Sequence, residues 1–398
     1  MDASPCGQPR VAEVKRSFSL STPVLLTSGL GLVAATYGLV RLAFGLFLPD
    51  VQRDLGFGSD VAGAVASGAS VLYCTGAVTG FLLAARAARW LVAAAAVTAG
   101  VGALVMAASP TTTVFAAAAV VASTGAGLAS PAMVQLVAGR VDGGSRDRAQ
   151  AVVNSGTGPG LVAAGVLALL LLPDWRTAWA VAGVVTLMAG AAVFLAAGRP
   201  VRSPRAALPG RSWFGAQAVP IVVALLFGAG SAVVWTYGRS TLVQAGVPTA
   251  STVVAWIALG LGGAAVAVTA RWTSALPAAR QWQLTTAVAA ASVLGLGLLP
   301  QVVGVALVAC ATFGWGYTAA TGALIAWTSE IDREHAAAGT SVLFVVLVAG
   351  QALGAAAAGV LSGAAGSVAT FLAATVVVAV ACGLTLRTRG LRRAVPTR

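Results

Sequence analysis

The placement of charge constrains this chain more than any other feature. Only 9% of its 398 residues are Asp, Glu, Lys or Arg, and they fall in narrow clusters. Between the clusters run apolar stretches of roughly 18 to 27 residues. A hydrocarbon layer about 30 Å thick takes about 20 apolar residues per helical crossing. Unpaired backbone amides are too costly in lipid, so such stretches fold as helices. The chain reads as an all-α polytopic membrane protein with about twelve transmembrane helices.

The expected spans are 22–47, 61–84, 90–109, 112–138, 150–172, 177–197, 216–240, 250–270, 281–299, 302–327, 337–361 and 366–386. With residue 1 in the cytoplasm, 20 of the 24 basic residues fall in or beside inner connections. That is the positive-inside pattern, and an even number of crossings puts both termini inside. The exceptions are Arg41, Arg53, Arg176 and Arg239. A net charge of +13 raises nucleic acid as a partner. The basic residues sit in short loops between spans, so they serve topology and that partner is rejected. Lipid surrounds the spans, and the mean hydropathy of +0.91 agrees.

The longest inner connection, 198–215, carries four arginines and three prolines and reads as an extended tether. It divides the chain into a tail (1–21), a six-helix bundle (22–197), a second six-helix bundle (216–386) and a tail (387–398). The apolar run after residue 21 is too long for a signal-peptide core and is expected to be retained as a helix. Weak internal symmetry supports two halves: Thr36-Tyr37-Gly38 with Arg41 in the first span, Thr236-Tyr237-Gly238-Arg239 in the seventh. Paired halves rocking about a midplane site are one solution to alternating access. The 48 glycines suit close helix packing in a bundle. Cys6, Cys74, Cys310 and Cys382 have no metal or redox spacing.

Several local motifs carry a family resemblance. The fifth span holds Gly156-Thr157-Gly158-Pro159-Gly160, then Gly165. Asp174-Trp175-Arg176 follows that span, and Arg41, Phe44, Gly45, Pro49 and Asp50 mark the first. With these features the chain resembles the major facilitator superfamily over nearly its whole length. The resemblance implies a transporter without cofactor. A working monomer is expected because each chain encloses its own pathway, the Ala/Gly-rich composition suggests a bacterial cytoplasmic membrane, and no converging ligands suggest a metal. It also implies a Gly-Pro helix of the kind best known from proton-exchanging exporters. The loop between spans two and three departs from the family pattern. Gly80 is followed by Ala84, Arg86 and Arg89, with no carboxylate, and the region near Arg271 departs in the same way.

Candidate site residues follow from polarity inside apolar spans. Arg41 lies eight residues before Pro49, about 12 Å along a helix. A charge at such depth snorkels, pairs or faces water. Arg41 and Arg239 are expected to face one another across the halves, around an oxyanion. Tyr37, Gln135, Asn154, Trp235, Tyr237 and Trp315 are further binding or gating candidates. Gly156, Gly158, Pro159, Gly160 and Gly165 are conformational candidates, since proline bends a helix and glycine admits close neighbours. Arg86, Arg89, Asp142, Asp147, Arg148, Glu330, Asp332 and Arg333 are inner-gate candidates, able to form salt bridges in one conformation and release them in another. Asp50, Asp54, Asp60 and His335 are expected in solvent.

The function expected is secondary transport of a small organic solute, with an anionic one favoured by the arginines. The alternative is proton-coupled efflux of a hydrophobic drug or metabolite. A membrane sensor or enzyme is a distant third, because no polar constellation marks an active site. No phosphate-binding Walker loop is present, so a gradient supplies the energy. Every Asp and Glu lies outside the expected span interiors. A coupling proton would therefore have to use an edge residue such as Asp50, or the substrate.

Overall fold

The computed structural model describes residues 21–141, 143–198 and 210–393. All regular structure among these residues is helical. The first span runs as α1 (Ser21–Val33), a π-helical stretch (Ala34–Leu42) and α2 (Ala43–Leu55). Then come α3 (Ser59–Ala108), α4 (Thr112–Ala138), α5 (Gly143–Asn154), α6 (Thr157–Leu171) and α7 (Trp175–Ala196). After the undescribed linker come α8 (Arg211–Ala216), α9 (Ala218–Gln244), α10 (Thr249–Thr273), α11 (Ala278–Leu298), α12 (Val303–Ile331) and α13 (Ala336–Arg393).

Nine described segments are long and apolar enough to cross a membrane, and two of these are 50 residues long. A straight helix of that length would reach about 75 Å, more than twice the hydrocarbon thickness. Both are broken. In α3, Ala87 leaves helical geometry at φ −136°, ψ 22°. In α13, Gly366 does so at φ 81°, ψ 173°, a backbone conformation open to glycine.

Hydrogen bonds show which termini share an end. Thr112 donates to the Leu55 carbonyl, Trp175 Nε1 to Asp54, and Arg176 to the carbonyls of Ala107 and Ser109. Arg89 donates to the Phe194 carbonyl and Arg140 to that of Ala197. The chain thus alternates between a Leu55 end and an Arg89 end. Caps define the turns at the Leu55 end. The Asp174 carboxylate accepts from the Thr177 amide at the start of α7. Hydrogen bonding from the Thr177 side chain, and then from its amide, holds the carboxyl below its ordinary value.

Helix contacts fall in two groups, α1–α7 and α9–α13, joined by α2 on α9, α3 on α13 and α6 on α10. The helices pack through small residues, as lipid-embedded helices do. Outward surfaces are apolar, with Leu170 75% and Leu195 77% exposed. Patches of that kind belong against lipid rather than water.

Four expectations need correction. The first helix continues to Leu55, eight residues past the expected end, so Pro49 and Asp50 are helical. The fifth span is not one helix but two, parted at Ser155–Gly156. Helix continues through much of the expected 85–89 and 362–365 loops. The end of the 198–215 tether is helical (α8), and Trp213 there is buried rather than solvated.

Candidate functional site

Nine residues of π-helix place the central polar group. A π-helix closes its hydrogen bonds over one more residue than an α-helix and recurs at functional sites. Here it carries Tyr37 and Arg41. Arg41 Nη2 donates to Gln351 Oε1 of α13 at 2.9 Å, and Gln351 Nε2 donates to the Tyr317 hydroxyl of α12 at 3.0 Å. The guanidinium lies 4.6 Å from the centre of the Tyr73 ring, whose hydroxyl is 2.8 Å from that of Tyr37. Trp235 stands edge-on to Tyr317, with ring centres 5.0 Å apart, and also abuts Phe313 and Trp256. Both helix groups therefore contribute to one polar and aromatic centre.

A cavity of about 50 Å³ opens beside it, lined by Arg41, Phe44, Ser70, Trp235, Thr236 and Gln351 among others. Among the described residues, no carboxylate lines it. The Arg41 Nε and Trp235 Nε1 groups are buried without an acceptor among the described residues. An unmatched buried donor typically costs about 1–3 kcal/mol.

Arg239 does not face Arg41 across this cavity, contrary to expectation. Its side chain is buried and turned to the Leu55 end. Nη1 donates to Asp50 Oδ2 at 2.5 Å and to the Leu46 carbonyl at 2.6 Å, and Nε donates to Thr252 at 3.1 Å. Asp50 is not solvated: it is 4% exposed and also holds Arg53 at 2.5 Å. Asp54 is exposed as expected, and accepts from the Trp175 indole at 2.7 Å. Beside the Asp50 pair, the Tyr237 hydroxyl donates to the Ser59 carbonyl, and the Ser59 hydroxyl donates to that of Gly359. A Cβ on Gly45 would overlap the Trp235 carbonyl. The two helix groups are thus sealed together at the Leu55 end.

The remaining candidates lie apart from the cavity lining. Trp315 Nε1 donates to Thr269 Oγ1 at 2.8 Å, within the second group. Asn154 is exposed and accepts from Gln150. Gln135 is half-buried, with its Oε1 unpartnered. A Cβ on Gly156 or Gly160 would overlap backbone carbonyls of the first span, at Leu30 and Ala34. Gly158 and Gly165 approach α10 instead, at Gly260 and Ile257. Pro159 sits in the first turn of α6, where its missing amide proton has no helical acceptor to lose.

At the Arg89 end, none of the described candidates forms an ion pair between the two helix groups. Arg89 stacks on Phe194 at 3.9 Å. Glu330 accepts from the Ala278 amide. Asp332 accepts from the Glu334 and His335 amides and meets His335 Nδ1 at 2.8 Å, so His335 is partnered rather than free in solvent. These bonds, chiefly those with His335, hold the Asp332 carboxyl below its ordinary value. Arg86, Arg148 and Arg333 are exposed. Asp142 and the side chain of Asp147 lie outside the described residues.

The residue pattern missed Gln351, Tyr317 and Tyr73. Gln351 stands alone as a polar side chain in an apolar run, the same signal that singled out Gln135. Tyr317 and Tyr73 carry no such signal, because tyrosines in spans are ordinary.

The sequence model of the Major Facilitator Superfamily matches residues 30–347. No curated protein matches the chain. Among solved structures, the chain is similar to a bacterial homologue of the human lysosomal transporter Spinster, inward-facing and unoccupied. Identity is 13% and the TM-score 0.75, over 95% of this chain and all of that one. It is similar to a POT family transporter in complex with a thioalcohol-conjugated peptide, at 13% identity and TM-score 0.76, over 93% and 96% of the two chains. It is also similar to the nucleoside transporter NupG, at 12% identity and TM-score 0.75, over 92% and 98%.

Proposed function

Because the chain belongs to the Major Facilitator Superfamily, and so is a membrane transporter rather than an enzyme, we propose that it moves a small organic solute by alternating access, with Arg41 at the binding site. The observation that carries this reading is the cavity between the helix groups, with a cation that has no carboxylate partner. A charge at that depth is retained for function by default. Both groups contribute to the cavity, so a solute bound there responds to their relative motion.

We take the Leu55 end as external, because Arg86, Arg89, Arg140, Arg271 and Arg333 gather toward the other end. On this orientation the described conformation is sealed outside by Asp50–Arg239 and Tyr237–Ser59. The absence of ion pairs between helix groups among the described inner candidates fits a released inner gate. The similar Spinster homologue was likewise captured inward-facing. Twelve crossings, cytoplasmic termini, a bacterial cytoplasmic membrane and a working monomer complete the reading, since each chain encloses its own cavity.

A second reading, proton-coupled efflux of an apolar compound, draws on the aromatic cluster of Trp235, Phe313 and Tyr317. Flux in everted vesicles with and without an uncoupler separates the two. For the primary reading, a ligand-stability screen of purified protein nominates solutes for counterflow in proteoliposomes. Exchange is expected in the native protein and lost in Arg41→Gln. Exchange that persists undiminished in the variant removes Arg41 from the pathway.

A further inference from the structure

Resting on the transporter reading above, we propose that the Arg41 cavity takes a monoanionic carboxylate on a compact apolar body, and rejects dianions, zwitterions and neutral amides. The hydrogen-bonding capacity left over in the cavity is the starting point. Gln351 is held from two sides: its oxygen accepts from Arg41 and its amide donates to Tyr317. Ser70 gives its proton to the Ala66 carbonyl. Arg41 and Trp235 also line the cavity, and their Nε and Nε1 groups, which can only donate, are buried without an acceptor among the described residues. A ligand that satisfies them must bring acceptors, and a carboxylate presents two oxygens to a guanidinium fork.

The rest of the lining selects the remainder of the ligand. Phe44, Leu42, Ala66, Ala69 and Ala355 offer apolar surface and no charge. A second carboxylate would be buried there unpaired, which is strongly unfavourable. An ammonium group needs an acidic partner, and none lines the cavity. The nearby buried carboxylate, Asp50, is engaged by Arg239 and Arg53. A neutral amide offers the guanidinium an oxygen but no charge, and so forgoes the charge-assisted bond. The volume of about 50 Å³ suits a headgroup, since about 10–15 Å³ of such space already holds one water. This cavity is therefore the headgroup seat, and the apolar body abuts Phe44 and Trp235.

The test uses full-length protein with four probes built on one benzene ring: benzoate, benzamide, phthalate and the zwitterion 4-aminomethylbenzoate. Binding is read by thermal shift and by isothermal titration, and exchange by counterflow. Benzoate is expected to bind, and the other three to bind at least tenfold more weakly. Arg41→Gln should weaken benzoate about tenfold to a hundredfold, as loss of a charge-assisted bond does. Trp235→Phe keeps the ring, removes one donor, and should weaken it several-fold. If Arg41→Gln does not fold, Arg41→Lys replaces it, with an intermediate loss expected. Failure of benzoate to bind, or phthalate, the zwitterion or benzamide binding as well as benzoate, overturns the proposed class. So does benzoate binding that ignores both Arg41 and Trp235. Arg41-dependent benzoate binding without any counterflow keeps the headgroup assignment and overturns the transport reading instead.

Discussion

Four arginines escape the sequence pattern that assigns the other basic residues to inner connections, and three of them have fixed partners. Arg176 binds the carbonyls that close α3, at Ala107 and Ser109. Arg53 and Arg239 both hold Asp50. Arg41 alone is left beside a cavity with only neutral partners. The two Asp50 pairs differ in worth because they differ in solvation. Arg53 is 62% exposed at its side chain and Arg239 1%. Asp50→Asn should therefore cost about 3–5 kcal/mol, by leaving Arg239 buried and uncompensated. Arg53→Gln should cost about 0–1 kcal/mol. Denaturation of the purified variants measures both. Adding Arg239→Gln to Asp50→Asn should restore much of the loss, whereas additive losses would show that the pair is not coupled. Asp50 was legible as a residue near a helix end. Its partner was not, because 189 positions separate it from Arg239.

At the scale of elements, contact between helices depends on positions that admit no side chain. Gly45 meets the Trp235 carbonyl across the two groups, and Gly350 meets the Leu225 carbonyl within the second group. An added methyl at either site overpacks the contact, at a cost of about 1–3 kcal/mol. Gly45→Ala should shift the population toward separation at the Leu55 end. Spin labels at the exposed positions Asp60 and Ala364 would then report longer distances. Gly350→Ala should lower the melting temperature without changing those distances. The connection between α12 and α13 makes a pH-dependent prediction. The folded Asp332 carboxyl lies below its ordinary value. Its contribution is thus present above the ordinary carboxylate range and lost as pH falls through the lowered value. Protection of the Glu334 and His335 amides, measured as exchange relative to an unfolded reference at the same pH, should fall on acidification, and Asp332→Asn should remove that pH dependence. The break near Gly156 was legible as a Gly-Pro cluster. The π-helix was not, since Ala34–Leu42 has no local sequence mark that separates π from α.

For the whole molecule, the alternation of ends makes a prediction about sidedness. Cysteines placed at the exposed positions Arg211 and Gln244 should react with impermeant reagents from opposite sides of the membrane. Labelling of both from one side would overturn the assigned topology. Apolar run length and the sidedness of arginine carried the helical class and the membrane, because hydration and hydrocarbon thickness act on composition alone; the family was legible only through the resemblance of the Gly156–Gly160 and Asp174–Arg176 motifs. The same reading left Arg41 and Arg239 as a pair around one site. Folding separated them: Arg239 found a carboxylate on α2, and Arg41 found a glutamine on α13. The amino-acid sequence by itself determined which segments enter lipid and which polar side chains go in with them. Only the tertiary structure decided which of those charges are neutralised, because a partner is chosen by helix packing across hundreds of residues and not by neighbours along the chain.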